Sequence, residues 1–361
     1  FAFLDSRAGV IHCARDRFGE KPFYFAEGSG FFAFASEYKA LLALDGVSGH
    51  VDPLRLARFL HQPLQGLDDG RETVFGGVRQ LLPGEMLALD VKTLAWSVRR
   101  YWDPAPDGVV ARLGREEAAA RFRELLTDSV RLRMRADVPQ GSCLSGGLDS
   151  SAIVCLAREA LGDDAPYHVF TGRFPGTSAD EWHYADQVIR HTGATSHVVE
   201  PRSSDFLDEL VQFVWYNELP VGSTSQYAQW CVFRLAAEQG ITVLLDGQGA
   251  DELLGGYEQY FQIYLAALRA DGNSGLADRE ERDIRARYPL ALPSRRARLS
   301  RHLPATLRRR LAHWSGRGSD PLFGLVPGLA ASAEAANQTD TNGPSDGAFT
   351  GLAARLHRES F

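Results

Sequence analysis

Little in this 361-residue sequence points to a membrane, to export, or to a metal or disulfide framework. No apolar run approaches the roughly 20 residues needed to span a bilayer. Cysteine occurs four times (Cys13, Cys143, Cys155, Cys231), widely spaced, with no C-x-x-C pair and no histidine cluster alongside. The four read as small buried hydrophobes in a reducing compartment rather than as disulfide or zinc ligands, and the cytoplasm is the expected location. Positive charge is in deficit: Lys+Arg 39 minus Asp+Glu 46 gives −7. No global basic field therefore draws nucleic acid or an anionic membrane. What remains, 44% hydrophobic and 24% charged, excludes a disordered or collagen-like chain. The length calls for two or more domains. The sequence opens Phe1-Ala2-Phe3-Leu4-Asp5 without an initiator Met or a secretory leader pattern, as if inside a strand, and it stops inside a helical pattern at 356–361. Both ends are expected to be truncated.

From 1 to about 105, short apolar runs (FAFLDS, VIHCARD, PFYFAE, FFAFAS) alternate with turn signals such as Ala8-Gly9 and Gly28-Ser29-Gly30, the spacing of antiparallel hairpins. Helices are expected near 37–44 and 53–62, the second with Asp52 as N-cap and Pro53 at its first position, with more strands over 85–102. The Pro/Gly-rich DPAPDG at 103–108 reads as a linker, which separates a domain over 1–105 from one over 112–361. Past it the alternation changes. Helix 115–134, strand 141–144, helix 148–161, strand 167–174, helix 179–192, strand 196–201, helices 204–216 and 226–239, and strand 241–247 predict a parallel sheet covered on both faces. Ligands of such sheets bind beyond the carboxyl ends of the strands. The Arg-rich run 295–310 reads as a helical surface, with an RNA patch as the alternative, and 329–347 reads as a mobile loop.

Two of those strand ends carry chemistry. The first is Leu144-Ser145-Gly146-Gly147-Leu148-Asp149-Ser150-Ser151, between a strand and a helix. Adjacent glycines let the backbone turn sharply and approach a phosphate, and the N–H groups of the helix start point at the anion. A Walker A lysine is missing, so the loop suits pyrophosphate held by backbone and hydroxyls, with Asp149 available to Mg²⁺. The bland alternative is a glycine-serine turn capped by Asp149. The second is Asp246-Gly247-Gln248-Gly249-Ala250-Asp251-Glu252-Leu253-Leu254-Gly255-Gly256-Tyr257, about 100 residues on and also after a strand. Asp251 could share a metal with Asp149. An acidic helix start alone would explain Asp251 and Glu252 but not the four glycines.

With these motifs the sequence resembles the glutamine-hydrolysing asparagine synthetase family. SGGLDSS (145–151) is similar to that family's pyrophosphate loop and DGQGADELLGGY to its second nucleotide loop. Phe174-Pro175-Gly176, Gly222 to Tyr227, RDRFGEKPFYF (15–25) and FASEYKALL (34–42) fit as well. The resemblance covers about 1–260. It implies an α/β protein: a partial antiparallel-sheet N-terminal-nucleophile (class II glutaminase-like) domain, then a parallel-sheet adenine-nucleotide α-hydrolase-like (PP-loop) domain. It implies an amidotransferase that uses ATP and Mg²⁺, adenylates a carboxylate, typically L-aspartate, and gives it glutamine-derived ammonia, with asparagine, AMP and pyrophosphate as products. Carried over by position, Ser145, Gly146, Gly147, Asp149 and Ser150 hold the phosphates. Leu144, Gly172, Asp246 and Gly247 line the ATP site, and Asp149 and Asp251 hold Mg²⁺. A homodimer is expected, with no nucleic-acid or membrane partner.

Three departures bear on that reading. The glutaminase nucleophile is not in this chain, and Cys13, inside a strand, is not a substitute. The family's C-terminal helices are not present. Gln248 stands where many asparagine synthetases carry a glutamate important for adenylate formation, and an amide cannot act as a base. The alternatives are a relative that amidates or cyclises another carboxylate (a sugar acid, peptide or natural-product precursor), an RNA-modifying PP-loop enzyme, or a non-catalytic remnant. His12, His168, His183 and His197 read as structural, and Trp215, Tyr216, Tyr257 and Tyr260 as core or site wall.

Overall fold

The computed structural model describes residues 1–288 except 62–66, 68–69, 106–107 and 163, together with Leu292. The Arg-rich run 295–310 and the segment 329–347 lie outside the described residues. The described residues form two compact units, one drawn from 1–46 with 80–248 and the other from 47–79 with 249–292.

In the first unit the expected hairpins form. Strands β1 (Ala2–Asp5) and β2 (Val10–Ala14) pair antiparallel, as do β3 (Tyr24–Gly28) and β4 (Phe31–Ala35). A two-residue strand β5 (Arg79–Gln80) joins β3, while β6 (Glu85–Asp90) and β7 (Trp96–Arg100) extend the other sheet in the order β1-β2-β6-β7. Cys13, Phe23, Phe25, Leu81, Leu87 and Leu89 form the core here, with Phe32 and Trp96 packed on it. Burial pushes the Cys13 thiol up to about 11, the behaviour of a core hydrophobe and the opposite of an activated nucleophile. Arg15 fixes the turn of the RDRFGEKP motif. Its guanidinium donates to the Gln80 side chain (2.8 Å) and to the carbonyls of Leu81 (2.7 Å) and Gly19 (3.1 Å). The short helix α1 (Tyr38–Leu42) comes next.

The same unit contains the parallel sheet. Helix α3 (Arg115–Arg133) leads to β8 (Gln140–Cys143), then α4 (Leu148–Leu161), β9 (His168–Gly172), α5 (Trp182–Thr192) and β10 (Thr195–Val199). Helices α6 (Ser203–Asn217) and α7 (Ser225–Glu238) precede the three-residue β11 (Val243–Leu245). All pairings are parallel, in the order β10-β9-β8-β11. The chain thus winds outward from β8 through β9 to β10 and returns to the other side of β8, which makes β8/β11 the topological switch point. Buried Leu144, Val154, Ala157, Tyr167, Val169 and Leu245 fill one face, and Phe170, Val232, Ala236 and Ile241 the other.

Helix α6 corrects one expectation. Trp215 and Tyr216 are 62% and 61% exposed, neither core nor site wall, because the helix turns Phe213 inward against Tyr227 and Cys231. The helix ends at Glu218, which with Leu94 is one of two non-glycine residues with positive φ among those described. A left-handed conformation costs a non-glycine residue about 1–2 kcal/mol, so its side chain must offset that.

The second unit holds α2 (Pro53–His61), α8 (Ala250–Leu254), α9 (Tyr260–Ala270) and α10 (Ser274–Arg287). Asp52 accepts from Leu54 N at 2.8 Å, the expected N-cap. Helices α9 and α10 bury Leu265, Ala277 and Ile284 with Leu292, and Arg269 donates across them to Glu281 (2.7 Å). Among the described residues no helix is long and apolar enough to cross a membrane.

Candidate active site

The switch point sets the site. In open parallel sheets the crevice lies where successive crossovers leave in opposite directions, beyond the carboxyl ends of the strands. Here those ends are Cys143 of β8 and Leu245 of β11, and the two unusual loops begin just past them. Leu144 is anchored to β9: its N–H donates to the Phe170 carbonyl (2.9 Å) and its carbonyl accepts from Thr171 Oγ1 (2.7 Å). The next peptide therefore leaves the sheet from a fixed point.

Gly146 then has φ +98°, and a Cβ there would come 2.7 Å from the Glu181 carbonyl and 3.1 Å from the Ala185 nitrogen at the start of α5. Only glycine satisfies both the conformation and the space. Gly147 is the N-cap of α4 and has no side chain with which to cap it. The loop is held by its own hydroxyls: Ser145 and Ser150 Oγ lie 3.0 Å apart, Gly147 N donates to Ser145 Oγ (3.1 Å), and Ser145 N donates to Ser150 Oγ (3.3 Å). Ser150 is buried, Asp149 half-buried and Ser145 exposed. A glycine-lined approach to the N-terminus of the 14-residue helix α4 fits a phosphate chain. Carboxylate and hydroxyl oxygens beside it are the hard donor set that suits Mg²⁺.

The second loop meets the first at Gly247. A Cβ on it would lie 3.1 Å from Ser150 N and 3.2 Å from Asp149 Cβ, so residues about 100 apart in sequence are in direct contact. Asp246 is half-buried and held in place: Gln229 Nε2 of α7 donates to one carboxylate oxygen (3.1 Å) and Gln248 N to the other (3.3 Å). Burial, and then the Asp246 carboxylate it hydrogen-bonds, push the Cys143 thiol well above its ordinary value. The thiol is therefore held protonated beside Asp246. Gln248 itself is exposed. Gly172 ends β9, with Val232 of α7 3.4 Å from where its Cβ would be.

Leu144, Ser145, Gly146, Gly147, Asp149, Ser150, Asp246 and Gly247 thus lie together beyond the carboxyl ends of β8 and β11 in the first unit. Asp251 belongs to α8 in the second unit, where its carboxylate lies over the Gly256 backbone; a Cβ on Gly256 would overlap Asp251 Oδ1. Among the described residues no group of three or more His, Cys, Asp and Glu side chains is assembled for a metal. The sequence reading missed Gln229, since nothing in its neighbourhood of α7 marks it, and missed Cys143 as a partner of Asp246. The β8–β11 register, with Leu245 opposite Ser142, puts Asp246 opposite Cys143.

With this geometry in place, the chain can be set beside known proteins. A profile of the family described as Asparagine synthase matches residues 121–355, more than half of the chain, and one described as Glutamine amidotransferase domain matches 1–102. The chain belongs to the asparagine synthase family. Among relatives of this asparagine synthase-family chain, "Putative asparagine synthetase [glutamine-hydrolyzing] 2" of Methanocaldococcus jannaschii is 31% identical over 264 residues, 73% of this chain and 50% of that protein. "Putative asparagine synthetase [glutamine-hydrolyzing]" of Mycobacterium bovis is 34% identical over 264 residues, 72% of this chain and 39% of that protein. A relative of different name, "Amidase chyE" of Penicillium rubens, is 28% identical over 276 residues, covering 72% and 40%. The chain spans half or less of the length of these relatives. Its two parts have the architecture that the family resemblance implied: antiparallel glutaminase-like sheets, then a parallel PP-loop-type sheet.

Proposed function

We propose that this chain is part of an ATP-dependent amidotransferase that adenylates a carboxylate, with L-aspartate as the first substrate to test, and transfers ammonia to it. The observation that supports this most is the contact of Gly247 with Asp149 and Ser150 at the β8/β11 switch point. It joins the helix N-terminus that suits pyrophosphate to a second loop bearing a carboxylate. The α4 N–H groups and the Ser145 and Ser150 hydroxyls would hold the departing pyrophosphate in place, and Asp149 would hold Mg²⁺. Mg²⁺, when bound, neutralises the charge that develops on that leaving group. A carboxylate oxygen of the substrate attacks the α-phosphorus, pyrophosphate leaves, and ammonia then displaces AMP from the acyl carbon. A carboxylate is a poor acyl donor, and positioning with electrostatic stabilisation is what the site can supply.

Asp246, held by Gln229 and Gln248 N, would line the ATP site. Gln248 carries no proton-accepting carboxylate, so a base at that position is not part of the mechanism. The same substitution, with an amidase-named relative, favours a second reading in which the acceptor is another carboxylate.

The test is pyrophosphate release from Mg-ATP by the protein in its complete reading frame, with ammonia supplied directly, with and without aspartate. Release that depends on aspartate and yields asparagine supports the first reading. Release that depends on a different acid supports the second. No release with any acid defeats both. Asp251→Asn, assayed in the same way, tests the metal role expected for Asp251.

A further inference from the structure

A contact between residues 180 positions apart joins α1 of the glutaminase-like part to the C-terminus of α6. The Glu218 carboxylate accepts from the backbone N–H groups of Tyr38 (2.9 Å) and Lys39 (2.8 Å), the first two residues of α1, and from Lys39 Nζ (3.3 Å). The Glu218 side chain is 12% exposed. Tyr38 is buried and stacks on Tyr24 of β3 at 4.0 Å, and Lys39 Nζ lies over the Trp215 ring at 5.6 Å. Glu37, the N-cap residue of α1, makes no side-chain cap. Glu218 therefore does that work from the other part of the molecule.

Glu218 stands at the C-cap of α6 with φ 64°, ψ −23°, where glycine is the favoured residue. A glutamate at that position is explained by its side chain and not by its backbone. The chain beyond Glu218 is also held. Asn217 Nδ2 donates to the Leu219 carbonyl (2.6 Å), and Val221 packs on Phe213, Tyr227 and Cys231. The segment then enters α7, whose Gln229 donates to Asp246. A packed path thus runs from α1 through Glu218, Val221 and α7 to the carboxylate beside the phosphate loop.

We propose that Glu218 is a positioning residue that couples the glutaminase-like part to the adenylating site, so that ammonia release and acyl activation stay in step. This inference rests on the amidotransferase reading. The informative variant is Glu218→Gly, which suits the left-handed backbone and removes the side chain with its carboxylate. Glu218→Asp keeps the carboxylate, on a residue that tolerates positive φ better than glutamate.

In the protein expressed from its complete reading frame, Glu218→Gly is expected to keep its melting temperature and ammonia-supported pyrophosphate release. Glutamine-supported release should fall about tenfold, within the usual range of coupling between sites, with glutamate formed per pyrophosphate rising by a similar factor. Glu218→Asp should recover part of the loss. An equal loss with both nitrogen sources, or no loss with either, would overturn the proposal. If the wild-type protein releases no pyrophosphate with ammonia or with glutamine, the amidotransferase reading fails first. The path is then read by hydrogen exchange in Glu218→Gly. Faster exchange both at 38–42 and at 243–248 supports it, and unchanged exchange in either segment overturns it.

Discussion

At the carboxyl ends of β8 and β11 the chain turns through Gly146 at φ +98°, brings Gly247 against Asp149, and leaves Ser145 exposed. At the amino end of β9, in the same sheet, Tyr167 is buried with its hydroxyl 2.5 Å from Ser142 Oγ, and Arg158 lies over its ring. There His168 Nδ1 also meets His197 Nε2 at 2.9 Å. One end is made of glycine conformations, hydroxyls and half-buried carboxylates that packing does not require. The other is made of a buried hydroxyl pair, a guanidinium over a tyrosine ring and stacked imidazoles. The difference separates what the sheet does from what keeps it folded, and the two ends should respond to substitution in opposite ways.

Gly146→Ala should give the largest effect and is the case where the two roles overlap, since this site glycine also touches α5. The variant meets both a disfavoured φ and the Glu181 carbonyl, and a loss of about 3 kcal/mol in urea unfolding is expected together with loss of turnover. A loss under about 1 kcal/mol would mean that the loop and α5 move apart freely. Asp149→Asn separates the two roles cleanly: pyrophosphate release should fall at least about 100-fold, with the melting temperature unchanged. A matching fall in stability would make Asp149 a structural residue.

Tyr167→Phe tests the other end. Loss of the buried hydroxyl pair should cost about 1–2 kcal/mol at neutral pH and leave turnover intact. Burial holds the Tyr167 hydroxyl pKa up to about 12, against an ordinary 10. The neutral form is thus favoured in the fold, and its stabilisation is complete below pH 10 and lost as pH rises toward 12. Urea midpoints measured across that window should decline less steeply in the variant than in wild type.

The smallest effect concerns His197, whose pKa is lowered by burial and then by the neighbouring His168. A lowered pKa means that the unfolded chain takes up the proton first. Stability is full above about 6.5 and declines as pH falls below it. His197→Gln should flatten that slope, and an unchanged slope would assign the acid sensitivity elsewhere.

Much of this contrast was legible in the sequence. Apolar runs spaced by helices marked β9, β10 and β11, while β8, with no Val, Leu or Phe, was marked by the glycine loop after it, and a second glycine-rich loop followed β11. The strand order was not legible, because the crossover back to β11 is a long-range choice that local pattern does not encode. β11 is three residues long where seven were expected. Asp246 and Gly247 peel away to Gln229 and to the first loop. Helix α5 begins at Trp182 instead of 179 because Thr177 Oγ1 and N both bond the Phe174 carbonyl and Asp180 pairs with Arg173 at 3.1 Å, which holds the preceding turn. The histidines gave no sign of pairing, since the β9–β10 register, with His197 opposite Phe170, alone brings His168 and His197 together. Trp215 and Tyr216 looked like core from composition, but the face of α6 that packs is the one that carries Phe213.

Everything proposed for this crevice depends on its activating a carboxylate as the acyl-adenylate. The decisive experiment supplies aspartate labelled with ¹⁸O in its side-chain carboxylate, with Mg-ATP and ammonia, to the protein in its complete reading frame, and follows the label by mass spectrometry. Adenylation followed by displacement with ammonia predicts one ¹⁸O carried into the phosphate of AMP, with asparagine formed in equal amount. Unlabelled AMP, or label in inorganic phosphate with ADP as the nucleotide product, would contradict it.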